Sequence, residues 1–147
     1  MEVTAATRDD VSALCELLGV LFAQEAEFQP DHSLQAAGLR AIIDSPELGR
    51  ILVLRDGGVP RGMVSLLFTV STALGGRVGI LEDVIVHPDH RGGGAGSKLL
   101  QGGIDFARSV GCRRLTLLTD RANDAAQRFY ARHGFAPSEM MTMRLSL

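Results

Sequence analysis

The sequence predicts one α/β domain over residues 1–147, a mixed sheet flanked by about four helices. Three observations lead there. A chain of 147 residues fits one compact domain, and no linker, repeat or low-complexity segment divides it. The apolar period is helical in the first third and then becomes that of strands. The last third runs strand, helix, strand, helix, strand, and a right-handed crossover there sets one strand parallel to its neighbour beside antiparallel partners.

Residues 2–6 read as a first strand, and Thr7 with Asp10 resembles a capping box in which Asp replaces Glu. Val11, Leu14, Cys15, Leu18, Leu21, Phe22 and Glu25 then recur at helical spacing, which predicts a helix to about Phe28, ended by Pro30. Asp31 or Ser33 caps a second helix, with Leu34, Ala37, Leu39, Ile42 and Ile43 on it, closing before Pro46. Ile51 to Leu54 is unbroken apolar sequence, as in a strand buried on both faces. Asp56-Gly57-Gly58 turns the chain into a second strand from Gly62 to Ala73, and Gly75-Gly76 turns it into a third over 77–86. A glycine-rich loop follows Pro88. The helix after it carries Leu99, Leu100, Ile104, Phe106, Ala107 and Val110 and stops at Gly111. Arg114 to Thr119 reads as a strand. Asp120 or Asn123 caps a short helix through His133 with Gly134 after it, and Met140 to Leu147 reads as a last strand.

Composition narrows the function classes. Hydrophobic residues make up 46% and charged residues 22%, which suits a packed core and excludes global disorder. The net charge is −2, and the longest basic run is Arg113-Arg114, so there is no footprint for nucleic acid. Cys15 and Cys112 stand among apolar neighbours, outside any Cys/His cluster; they read as buried free thiols of a reducing, cytoplasmic compartment, with no metal site expected. The first ten residues lack the pattern of a signal peptide, and no apolar stretch is long enough to span a membrane.

The informative segment is ILEDVIVHPDHRGGGAGSKLL, residues 80–100. A strand ends, Pro88 breaks it, Arg91 to Gly96 form a loop, and a helix starts at once. Glycines let successive N–H groups line a concave nest, and the helix start adds unpaired N–H groups and a positive dipole end. Such a loop suits a pyrophosphate, with Arg91 adding charge. It is not a Walker loop, because Gly96-Ser97-Lys98 reverses the required lysine and hydroxyl. It is not a dinucleotide fingerprint, because Gly94 to Leu99 lacks the last glycine and comes late in the chain.

Arg91, Gly94 and Gly96, following a strand that ends Val-His-Pro, match R-x-x-G-x-G and resemble motif A of the GNAT acetyltransferase superfamily. NDAAQRFYARHGF, residues 123–135, resembles its motif B through Asn123, Phe129-Tyr130 and Gly134-Phe135. The two motifs stand one strand and one helix apart, and the resemblance covers essentially the whole chain. It implies a mostly antiparallel sheet splayed open at a parallel strand pair. It implies acetyl-CoA as cosubstrate, with pantetheine on the backbone of Val84, Ile85 and Val86. The pyrophosphate would rest on Arg91, Gly92, Gly93, Gly94, Ala95 and Gly96, and Asn123 and Tyr130 would touch the cofactor from the last helix.

The implied chemistry is direct attack of a primary amine on the thioester through a tetrahedral intermediate, without a metal. An alkylamine is protonated at neutral pH, so a base must take a proton, and the departing thiolate gains from a donor. Tyr130, the sole tyrosine, matches the family's donor. Glu82 is the candidate base and amine-binding residue, and its Leu-Glu-Asp string resembles polyamine-type and related small-molecule acetyltransferases. Side chains alternate along a strand, so Glu82 and Asp83 face opposite ways barring a bulge, and Asp83 reads as a structural carboxylate. A water chain is the alternative to a direct base. His87 and His90 lie at the cofactor end and read as solvated loop residues.

The first two helices would wall the acceptor site. Glu25 and Phe28 are candidate substrate contacts there, and Glu25, Glu27 and Asp31 would attract a cation. Small amines, amino acids, antibiotics and protein N-termini or lysines remain open as acceptors, a small molecule being favoured. A non-catalytic acyl-CoA sensor is the rival class. The apolar residues of the last segment suit either the core or a homodimer interface.

Overall fold

The computed structural model describes residues 1–25 and 29–147. Its strands are β1 (Glu2–Ala5), β2 (Gly49–Asp56), β3 (Val59–Ser71), β4 (Gly76–Val86) and β5 (Leu115–Leu117). Its helices are α1 (Val11–Gln24), α2 (His32–Ile43), α3 (Ala95–Ser109) and α4 (Asp124–Arg132). The strands lie in chain order in one sheet, antiparallel from β1 to β4, with β5 parallel to β4. This is the mixed sheet that the element order predicts.

The unbroken apolar run in β2 has a simple cause. Ile51 and Val53 face α1 and α2 in one core cluster, with Leu14, Leu18, Met63 and Ile85. Leu52 and Leu54 face α3 in a second, with Val64, Leu66, Leu81, Leu99 and Leu100. Alternation in a strand covered on both sides leaves no polar face. Leu14, Leu54, Leu99 and Leu100 are wholly buried, each stabilising the fold by roughly 1.5–3 kcal/mol.

The Thr7–Asp10 box forms: the Thr7 N–H donates to Asp10 Oδ2 at 2.8 Å. Asp10 also takes a fork of two bonds from Arg55 at 2.7 and 2.8 Å, which ties the start of α1 to β2. That guanidinium, ahead of the bond from Thr7, holds the Asp10 carboxyl below its ordinary range despite the opposing effect of burial. Asp31 rather than Ser33 caps α2, accepting from the Leu34 N–H at 3.1 Å. Asn123 rather than Asp120 caps α4, accepting from the Ala126 N–H at 3.0 Å.

Several expectations are corrected. α1 ends at Gln24; its last turn tightens as the Glu25 N–H bonds Phe22 O at 3.3 Å, and Glu25 itself is extended. Ala36, not Ala37, is buried on α2, because that face is set by Gln35 and Leu39 at helical spacing. β5 covers only Leu115–Leu117. No strand forms over Met140 to Leu147. That segment is exposed, with Met140 at 88% and Met143 at 87%, because no strand pairs with it among the described residues. Cys15 and Cys112 are free thiols, and burial raises the pKa of each.

Candidate active site

Two departures from a regular sheet build the site. Parallel pairing between β4 and β5 stops at Leu81 opposite Leu117, while β4 continues to Val86. Glu82 to Val86 therefore have β3 on one side and, among the described residues, no strand on the other. That is the splay implied by the resemblance, and it leaves β4 beyond Leu81 without a strand partner on that side among the described residues.

The second departure is a β-bulge. Met63 pairs with Ile85 and Ser65 with Glu82, so one residue of β3 faces two of β4, Asp83 and Val84. Asp83 takes a φ of +53°, the only non-glycine residue with positive φ among those described. Asp tolerates that conformation better than most side chains, at a cost in backbone strain. The bulge cancels alternation. Glu82 and Asp83 both line a cavity of about 350 Å³ between the sheet, α1 and α2, while Val84 packs toward α3. The expectation that the two acids face apart is therefore corrected.

Leu18 and Phe22 of α1 and Leu34, Leu39 and Ile42 of α2 supply the cavity's apolar wall; Gln29, Asp31 and Gln35 add polar groups. Glu82 is exposed at its mouth, whereas Asp83 is partly buried. Burial raises the Asp83 pKa to about 6, helped by the negative charges of Glu82 and then Glu25. A contact from Ser65 opposes the rise. Its hydroxyl, 1% exposed, reaches no partner at good hydrogen-bond geometry, so that opposition is weak.

Tyr130 is half-buried on α4, with Phe129 and Phe135 at ring distances of 5.4 and 5.9 Å. Burial, and then the charge of Glu25, raises its pKa, so its hydroxyl stays protonated and able to donate. Glu25 thus influences both Asp83 and Tyr130. Phe28 and Glu27 lie outside the described residues.

At the other end of the splay, Gly92, Gly93 and Gly94 have φ of 85°, 60° and 83°. A Cβ on any of them would meet nothing within 4 Å, so glycine is required there by conformation and not by space. Gly94 opens α3 at Ala95, whose first N–H groups lack partners within the helix. Arg91 Nε donates to Val86 O at 2.9 Å, which fixes the guanidinium at the end of β4. α4 packs on the first turn of α3: a Cβ at Gly96 would come 3.4 Å from the Phe129 ring, and Ser97 Oγ lies 3.0 Å from His133 Nε2. The structure thus brings Gly96 and Ser97 against α4, and it gives Asn123 the role of helix cap. His87 accepts from the Asp89 N–H through Nδ1, away from the cavity.

Sequence reasoning missed the position of Asp83, the buried hydroxyl of Ser65 and the Ser97–His133 pair. No spacing signals a bulge without a glycine, and the other two depend on contacts between distant segments.

The family model described as "Acetyltransferase (GNAT) family" matches residues 13–135. The chain belongs to the GNAT acetyltransferase family. Like its relatives, this GNAT enzyme is an acetyl-CoA-dependent N-acetyltransferase. It is 33% identical to an uncharacterised N-acetyltransferase of Bacillus subtilis, over 92% of this chain and 89% of that one. It is 30% identical to the aminoalkylphosphonate N-acetyltransferase of Salmonella typhimurium, over 93% of this chain and 86% of that one. Among solved structures, an integron cassette protein from the mobile metagenome of Cole Harbour Salt Marsh superposes with a TM-score of 0.85. It is 30% identical, over 99% of this chain and 90% of that one.

Proposed function

We propose that the chain acetylates the primary amine of a small molecule by direct attack, with Asp83 as the base and Tyr130 as the proton donor. Acetyl-CoA, when bound, supplies the acetyl group as a thioester. Val84 to Val86 hold the pantetheine arm along the side of β4 that β5 leaves unpaired, and Arg91 to Gly96 hold the pyrophosphate. Asn123 orders the start of α4, so that Tyr130 is presented at the splay.

The observation that carries this reading is the bulge, which puts Asp83 in the cavity's lining, where burial, then Glu82 and Glu25, raise its pKa to about 6. A carboxylate with that pKa is ionised at neutral pH and is a better proton acceptor than an ordinary one. Asp83 Oδ takes the proton of the incoming amine, and Tyr130 Oη gives one to the departing sulfur. Glu82, exposed at the mouth, binds the cationic acceptor as it enters and remains the alternative base. The free thiols fit a cytoplasmic setting.

The reading is tested by thiol release from acetyl-CoA with a panel of primary amines, using wild type, Asp83→Asn, Glu82→Gln and Tyr130→Phe. Amine-dependent release that falls most in Asp83→Asn and Tyr130→Phe supports the assignment. A larger loss in Glu82→Gln than in Asp83→Asn would move the base to Glu82.

A further inference from the structure

We propose that the acceptor is a small amine with a second positive charge and no phosphate, a conclusion that rests on the acetyl-transfer reading of the cavity. Three carboxylates line that cavity, Asp31, Glu82 and Asp83, and no Arg, Lys or His side chain does so among the described residues. Glu82 and Asp31 form no ion pair with a described residue. The Ser33 hydroxyl and then the Leu34 N–H hold the Asp31 carboxyl below its ordinary pKa, so Asp31 stays charged. The cavity therefore presents more negative charge than one ammonium group can balance.

The charges are also spread over two elements. Asp83 and Glu82 sit together on β4, beside the buried Ser65 of β3. Asp31 caps α2, and apolar Leu34, Leu39 and Ile42 of that helix line the same cavity. A diamine with a short apolar spacer matches a wall that combines carboxylates from two elements with apolar side chains. The volume of about 350 Å³ suits such a molecule and lies near the low end for ligand cavities. A phosphonate or phosphate on the acceptor would bring a second like charge among carboxylates, and like-charge juxtaposition rejects a partner strongly in a site with apolar walls. The Salmonella relative is named for an aminoalkylphosphonate; this chain shares its fold and differs, on this argument, in acceptor charge.

The test is calorimetric titration of the full chain, saturated with CoA, using 1,4-diaminobutane, 4-amino-1-butanol and 2-aminoethylphosphonate. The diamine should bind about tenfold or more tightly than the amino alcohol, and the phosphonate most weakly. Asp31→Asn should remove most of the diamine's advantage and weaken the amino alcohol far less, because Asn caps a helix as well as Asp and only the charge is lost. A phosphonate that binds as tightly as the diamine, a diamine no better than the amino alcohol, or no amine binding at all overturns the proposal. Thiol release from acetyl-CoA is read in parallel. Binding in the predicted order with no release would sink acetyl transfer and leave the acceptor class standing. Release with the phosphonate as best acceptor would do the reverse.

Discussion

Replacing Asp83 by Asn should stabilise the protein and slow it. Asn is nearly the same shape and accepts the left-handed φ of +53°, so the bulge survives. What changes is the charge. A carboxyl normally ionises near 3.8, and in the folded chain Asp83 ionises near 6 because burial and its acidic neighbours disfavour the anion. Each tenfold change in proton affinity is worth about 1.4 kcal/mol, so the folded state gives up about 3 kcal/mol at pH 8 by carrying this charge. The open mouth of the cavity solvates part of the group, which makes that value a ceiling. The sign follows from linkage: the folded state binds the proton more tightly, so the wild type loses stability as pH rises from about 4 through about 6. Asp83→Asn has no proton to lose. Its advantage should be below about 1 kcal/mol at pH 4 and grow to as much as about 3 kcal/mol at pH 8, read as a shift in urea midpoint at constant slope. In the same variant the rise of wild-type kcat/KM through about pH 6 should disappear. An Asn variant equally or less stable than wild type at pH 8 would refute the strained, buried carboxylate, whatever it did to the rate.

Tyr130→Phe should lower kcat by about a hundredfold and leave acetyl-CoA affinity nearly unchanged; unchanged turnover across pH would remove its donor role. Gly94→Val puts a β-branched residue at φ 83°, so acetyl-CoA affinity should fall while a strain of about 1–2 kcal/mol lowers the denaturation midpoint. Arg55→Ala leaves the nearly buried Asp10 charge without its fork of two bonds. Equilibrium unfolding should show a loss of about 3 kcal/mol or more at neutral pH, shrinking as acid protonates Asp10, whose native pKa is depressed.

Much of this was legible in the sequence because local chemistry decided it. The cap at Thr7–Asp10, the double-faced run at Ile51 to Leu54 and the glycine loop at 92–94 each follow from the residues that make them. The same holds for the candidate donor on α4, since a motif fixes Tyr130 relative to Asn123 along one helix. The acid on β4 was legible as a pair and not as an orientation. Alternation is a property of a regular strand, and the bulge at Asp83 comes from register against β3, which lies earlier in the chain. The end of the chain misled for a related reason. Met140 to Leu147 has strand composition, but a strand needs an edge to pair with, and composition does not say whether one is within reach.

The most direct test of the central claim is simultaneous measurement of free thiol and acetylated amine when the chain is mixed with acetyl-CoA and 1,4-diaminobutane. Acetyl transfer at this site predicts that both appear in equal amounts, that both need the amine, and that both fall sharply in Asp83→Asn and Tyr130→Phe. Thiol released without acetylated product, or product formed equally well by both variants, would contradict it.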